Sequence, residues 1–415
     1  MTITRTGRAG DGVRALRHPA YRWLYGAFVA RGLQVWMQFV ALPLLVLDLG
    51  GSAADVGLVT GLFLIPIAFI APAAGTLGDL VDRRRALVVL AAYGAGHGLV
   101  MAALVVSGGM SIGLLAVFAG LYGVLNAIEI PIRLAFIADV VPHDDLANGV
   151  VLGQVGFTTT RIVGPAAAGA IAAGPGLAAL FVAIGLAGIV VAVATWAVRA
   201  RYREPIVPTG RSPRRALVDG LRYAAATRGV REPLLLLGAV SVFGLSFQVV
   251  LPLYAVDRLG LDREEFGLLL ATMGIGALLA AIPMAYLTAD GARRALLVSS
   301  GAVAVAIGGL TGTTIVPVAF VAVALAGAAS NVALSSASVA LQYAVDGPVR
   351  ARVLGLQAAL FQGGQGIGGL LMGLATDEFG VVAAMVAGGL TVAVATTVTV
   401  VAWPRPRPDR DQPVG

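Results

Sequence analysis

Long apolar runs alternate with short polar breaks along the whole chain. The runs fall near 20–47, 56–78, 86–106, 111–138, 148–172 and 176–198, then near 233–256, 266–289, 295–314, 316–343, 353–376 and 381–403. Each is long enough for the ~20 apolar residues that a helix needs to cross a bilayer. The only long polar stretch inside the chain is 199–232, which carries nine arginines and Pro205, Pro208 and Pro213. The pattern predicts an all-α membrane protein with twelve transmembrane helices. The expected divisions are an N-terminal six-helix bundle over 1–198, a cytoplasmic basic linker over 199–232, and a C-terminal six-helix bundle with a short cytoplasmic tail over 233–415. Within the linker, Arg214 to Thr227 suits a short amphipathic helix lying on the membrane surface.

Composition supports the same reading. Of the 415 residues, 58% are hydrophobic and 12% charged, against about a quarter charged in a soluble domain. There is no cysteine, hence no disulfide and no thiolate metal site. His18, His97 and His143 are too scattered to form a metal cluster. No nucleotide-binding glycine loop or catalytic cysteine is present, so neither an enzyme nor a cofactor is expected.

The chain contains no lysine, and its arginines sort by topology. Arg258 and Arg263 mark one side of the membrane, and Arg31, Arg133 and Arg161 lie inside spans. Every other arginine falls on the opposite side, which is therefore expected to be cytoplasmic, with both termini inside. The formal net charge of +7 is then a topological signal rather than a nucleic-acid footprint. The first apolar run follows five arginines and is long, unlike a cleavable signal. The expected setting is the cytoplasmic (inner) membrane, in multi-pass form. The expected partners are a small-molecule substrate, a proton and the lipid bilayer, with no nucleic acid, and the expected state is a monomer.

The two halves echo each other. Arg84-Arg85-Ala86-Leu87 recurs as Arg293-Arg294-Ala295-Leu296, each just after an aspartate, Asp79 and Asp290. With six spans on either side of the linker, this predicts two pseudo-symmetric bundles.

A charge at mid-bilayer costs roughly 2.5–3.5 kcal/mol on insertion scales, so each one needs a reason to stay. In the fourth span Tyr122, Asn126, Glu129 and Arg133 share one face at spacings of 4, 3 and 4. Glu129 is either half of a structural ion pair with Arg133, or a group that binds and releases a proton or a cationic substrate. In the fifth span Gln154, Thr158, Arg161 and Pro165 share a face, and Arg161 is placed to meet Glu129 from the neighbouring helix. In the first span Arg31, Gln34 and Gln38 are assigned to a cavity wall, with Arg31 either snorkelling or pairing with Glu129. Asn331, Ser335, Ser338 and Gln342 in the tenth span, and Gln362 and Gln365 in the eleventh, serve either as cavity polar groups or as interhelical glue. Trp36, Phe39, Phe157, Phe243, Phe247, Tyr254 and Phe361 are candidates to pad the cavity. The middle of the C-terminal half has no charge, so proton handling falls to Glu129, Arg133 and Arg161.

The stretch Gly75-Thr-Leu-Gly-Asp79-Leu-Val-Asp82-Arg83-Arg84-Arg85 resembles the cytoplasmic loop signature of the major facilitator superfamily. Leu80 stands where that family usually has a basic residue. The resemblance implies a gating role for Gly75, Asp79, Arg83 and Arg84. Gly164-Pro165 with Gly156 and Gly169 is similar to the fifth-helix antiporter signature of facilitator exporters, with Ala168 in place of a second glycine. Val40-Ala41-Leu42-Pro43, Glu129-x-Pro131-x-Arg133, Leu146-Ala147-Asn148 and Arg161-Ile162-Val163-Gly164-Pro165 resemble the enterobactin-exporter-like and drug-efflux branch of that superfamily. This resemblance implies proton-coupled efflux of a hydrophobic or amphipathic small molecule by alternating access. A uniporter or symporter for a small metabolite, on the same fold, is the alternative.

Overall fold

The computed structural model describes residues 11–77, 81–200, 202, 221–284, 287–345 and 347–402. Twelve long helices make up nearly all of this. They are α1 (Pro19–Asp48), α2 (Ala53–Leu77), α3 (Arg83–Val106), α4 (Ile112–Val140), α5 (His143–Ala173) and α6 (Leu177–Ala197). After the linker come α7 (Arg228–Arg258), α8 (Arg263–Met284), α9 (Ala289–Thr311), α10 (Val316–Ala344), α11 (Gly347–Phe379) and α12 (Val381–Ala402). Ten of them are long and apolar enough to span a membrane. The other two, α5 and α11, are diluted by glycine and by polar residues such as Gln154, Arg161, Gln362 and Gln365. Large apolar side chains, among them Phe69, Val89, Val305 and Leu390, are exposed on the outside of the bundle, where hydrocarbon is the natural solvent.

The helix ends follow local chemistry. Asp82 caps α3 by accepting from the Arg85 amide, and Ser111 caps α4 by accepting from the Leu114 amide; both satisfy otherwise orphaned N–H groups. α5 starts at His143, earlier than the apolar pattern predicts. Asp144 and Asp145 in its first turn favour the positive end of the helix dipole. Five turns, α1–α2, α3–α4, α5–α6, α7–α8 and α11–α12, each hold one glycine in the left-handed region, with φ of 73°, 67°, 98°, 67° and 84°. All five lie at one end of the molecule. That end carries Asp48, Asp55, Asp257, Asp262, Glu264, Glu265, Asp377 and Glu378 and is here called the acidic end; the arginine-rich turns form the basic end.

Packing repeats between halves. In the first, α3 packs on α6, α2 on α4, and α1 on both α5 and α6; in the second, α9 packs on α12, α8 on α10, and α7 on both α11 and α12. Adding six to each helix number converts one list into the other. The bundles meet through two related crossings, α2 against α11 and α5 against α8. Without a hydrophobic force between helices in lipid, close backbone approach supplies the attraction. A Cβ on Gly57 would lie 2.6 Å from the Gly369 carbonyl oxygen, and one on Gly267 would lie 2.5 Å from that of Pro165 and 2.7 Å from Gly169 Cα.

Both crossings are latched at the acidic end. The Asp377 carboxylate at the end of α11 accepts from the amides of Ala53 and Ala54 at the start of α2, at 2.9 and 3.0 Å. Arg263 at the start of α8 pairs with Asp48 of α1 and donates to the Ala172 carbonyl of α5. Asp377→Ala removes a cap worth about 1 kcal/mol. The variant is expected to raise, about fivefold, labelling of a cavity cysteine (Phe39→Cys) by an impermeant maleimide applied at the acidic end. An unchanged rate would show that the cap does not hold the seal.

Candidate functional site

Between the bundles lies a cavity with about 340 Å³ of accessible space. α1, α2, α4 and α5 supply its charged and aromatic side, including Trp36, Phe39, Phe63 and Phe157. α7, α8, α10 and α11 supply a neutral side with Gln248, Asn331, Phe361, Gln362 and Gln365. The glycine crossings and latches close it toward the acidic end. Toward the basic end Gln154 on its wall is exposed.

The charged side is one network. Glu129 is buried on α4, and Arg31 of α1 reaches it, with Nε 2.9 Å from Oε2. Arg133, one turn along α4, places its Nε 2.9 Å from Oε1. Both carboxylate oxygens are thus engaged. Arg31 also donates to Gln34 Oε1 at 2.5 Å, to the Tyr122 hydroxyl at 2.8 Å and to Asn126 Oδ1 at 2.8 Å. Arg133 lies between two rings, 5.2 Å from Phe28 and 5.4 Å from Phe157. Arg31 hydrogen-bonds the carboxylate, whereas Arg133 faces it as an ion pair with no hydrogen bond at its Nε; a paired charge is the form in which ions survive burial.

Arg161 is placed differently. The geometry does not bring it to Glu129. Its guanidinium stacks over Trp36 at 5.1 Å, and no carboxylate of the described residues lies within ion-pair distance of it.

The structure sorts the remaining candidates. Asn126, Thr158, Asn331, Gln362 and Gln365 stand on the cavity wall with Arg31. Gln34, Gln38 and Tyr122 do not; they are buried inside the first bundle. Gln34 donates to the Ile184 carbonyl, and Gln38 lies 3.1 Å from His97 Nε2. They face inward because α1 meets α6 at Gln34 and α3 at Gln38 as well as the cavity at Arg31, so a single polar stripe is divided among neighbours. Ser335 is not on the wall, and Ser338 accepts from Gln357 at 2.6 Å, a link between α10 and α11. Phe247 and Tyr254 are fully buried in the second bundle.

Of the gating candidates, Asp79 lies outside the described residues, as does the side-chain environment of Gly75. Arg83 pairs with Asp139 at the end of α4, at 2.9 Å, and Arg84 donates to the Trp196 carbonyl. These contacts tie α3 to α4 and α6.

Two residues escaped the sequence reading. Gln248 reaches the wall because a π-helical turn over Val240–Gly244 shifts the register of α7; a 3.6-residue pattern does not show such a shift. His97 is buried, with its ring stacked on Tyr122 at 4.7 Å. Its sequence neighbours on α3 are apolar, and only tertiary packing joins it to the network.

The model of the transmembrane secretion effector family matches residues 12–412. The chain belongs to that family, within the major facilitator superfamily. The chain is similar to the Staphyloferrin A transporter of Staphylococcus aureus (strain NCTC 8325 / PS 47), at 24% identity over 352 residues, covering 84% of this chain and 87% of that protein. In structure it is similar to an inward-facing, unoccupied bacterial homologue of the human lysosomal transporter Spinster, with a TM-score of 0.75 at 16% identity, covering 95% of this chain and 98% of that one. It is also similar to the nucleoside transporter NupG, with a TM-score of 0.75 at 13% identity over 94% and 100% of the two chains. The fold is that of facilitator transporters, and the chain is a multi-pass membrane transporter of a family of transporters, not of enzymes.

Proposed function

We propose that this transporter exports a hydrophobic or amphipathic small molecule, such as a siderophore, drug or secondary metabolite, with Glu129 as the proton-coupling group. The observation that carries this reading is that, among the described residues, Glu129 is the one carboxylate on the wall of the central cavity, held there by Arg31 and Arg133. The arginine-rich end is cytoplasmic in this reading, so the acidic end faces outward and the cavity is closed to the outside. The similarity to a Staphyloferrin A transporter supports the siderophore part of the range.

The geometry supports a sequence of events. A proton on Glu129 removes the charge that both arginines face. Arg31 keeps Gln34, Tyr122 and Asn126 as acceptors. Among the described residues, Arg133 keeps only the faces of Phe28 and Phe157. Arg133 is therefore the mobile member, and its release reshapes the cavity wall. Two packings that differ by a few kcal/mol then suffice for alternating access.

Glu129→Gln preserves shape and one acceptor but takes no proton. In inside-out vesicles it is expected to abolish transport driven by a pH gradient, while exchange of labelled for unlabelled substrate without a gradient persists. Gradient-driven transport at the unmodified rate would remove Glu129 from the coupling role.

A further inference from the structure

We propose that the cargo of this cavity is an anion, with oxyanion groups such as carboxylates on an apolar or aromatic body. The inference rests on the chain being a transporter with this cavity as its cargo site; it depends neither on proton coupling nor on direction.

The charge inventory of the wall carries it. Three cations line the cavity, Arg31, Arg133 and Arg161, against one anion, Glu129. Glu129 already faces two of the three cations, with one oxygen toward Arg31 and the other toward Arg133. Its single negative charge is shared between two arginines, so a cationic cargo has to compete with both of them for it. The facing wall offers Gln248, Asn331, Gln362 and Gln365, all neutral. Among the described residues, nothing on the wall offsets the surplus of two positive charges.

Arg161 is also poised rather than buried in a pair. Trp36 covers one face of its guanidinium at 5.1 Å, which leaves the in-plane N–H edges for a ligand. A guanidinium offers five donors in a planar fork that matches a carboxylate in bidentate fashion. Ionisable groups held inside a membrane domain without a protein partner mark substrate paths. Phe157 lies one turn before Arg161 on α5, and its ring contacts Arg133, so each of these two cations rests on an aromatic ring of the wall. Trp36, Phe39 and Phe361 complete an apolar lining. An amphipathic anion satisfies both features; a cation satisfies only the rings and meets three arginines.

The test is equilibrium binding to the purified full chain in lipid nanodiscs, with no gradient. The probes are three dansyl compounds of similar size: N-dansyl-L-glutamate (dianion), dansylamide (neutral) and dansylcadaverine (cation). The dianion is expected to bind at least tenfold more tightly than the other two. Arg161→Gln is expected to weaken dianion binding at least tenfold and leave dansylamide binding within twofold, with Arg161→Lys in between. The inference is overturned if the cation or the neutral probe binds as well as the dianion, if the dianion does not bind at millimolar concentration, or if Arg161→Gln weakens all three alike. The probe comparison on the unmodified protein decides the matter even if Arg161→Gln does not fold. A chain that selects the dianion yet ignores a pH gradient would retain this inference and lose only the coupling role of Glu129.

Discussion

Gly267→Leu is expected to abolish transport while leaving the protein folded and held open at its acidic end. The atoms that a Cβ at this position would strike, Pro165 O at 2.5 Å and Gly169 Cα at 2.7 Å, both belong to the other bundle. The clash is therefore relieved by separating the bundles, a motion the fold makes in its cycle, rather than by disrupting either one. Gly327 provides the contrast. A Cβ there would lie 2.1 Å from the Met273 carbonyl oxygen, across the α8–α10 contact inside a single bundle. Gly327→Leu is expected to prevent folding. Because the chain has no native cysteine, Phe39→Cys reports the difference directly. In the Gly267→Leu background it is expected to react with impermeant maleimide from the acidic side on the order of a hundred times faster, since at least ~2.7 kcal/mol of closing preference is lost to the overlap. Normal transport by Gly267→Leu would show that the α5–α8 crossing never needs to close.

Arg31→Ala is expected to cost roughly 3–5 kcal/mol of stability, the range for removing one partner of a buried, hydrogen-bonded ion pair. Arg31 is 2% exposed and bonds Glu129, Gln34, Tyr122 and Asn126 at once. Its loss strands acceptors on two helices. Pairing the change with Glu129→Gln removes the stranded charge, so the double variant is expected to lose less than the sum of the singles. Thermal unfolding in detergent reads both. A single variant that melts with the unmodified protein would mean that water enters the network and replaces the guanidinium.

The span count was legible because a bilayer imposes one length on every crossing. The Glu129–Arg133 pair was legible because spacing of four residues on a helix needs no tertiary knowledge. What escaped was decided between helices. The bond from Arg31 to Glu129 depends on α1 approaching α4, and sequence allowed snorkelling equally well. Gln34 and Gln38 repeat on the same side of α1 as Arg31, yet α6 and α3 claim them. Arg161 stood at the right depth to meet Glu129, but it lies over Trp36 instead, and Arg31 and Arg133 pair with the carboxylate. Gln248 arrives at the wall through a π-helical turn that no periodicity anticipates.

The surplus of arginine on the wall has an electrical consequence. Loaded with a doubly charged cargo, the cavity is neutral and changes sides without work against the membrane voltage. Emptied, it returns with two positive charges, or three when Glu129 has taken a proton. A cell interior negative by 100 mV favours that return by roughly 2.3 kcal/mol for each charge that crosses the field. If the chain exports such a cargo as proposed, its resetting step is powered by voltage, and each cycle carries a current.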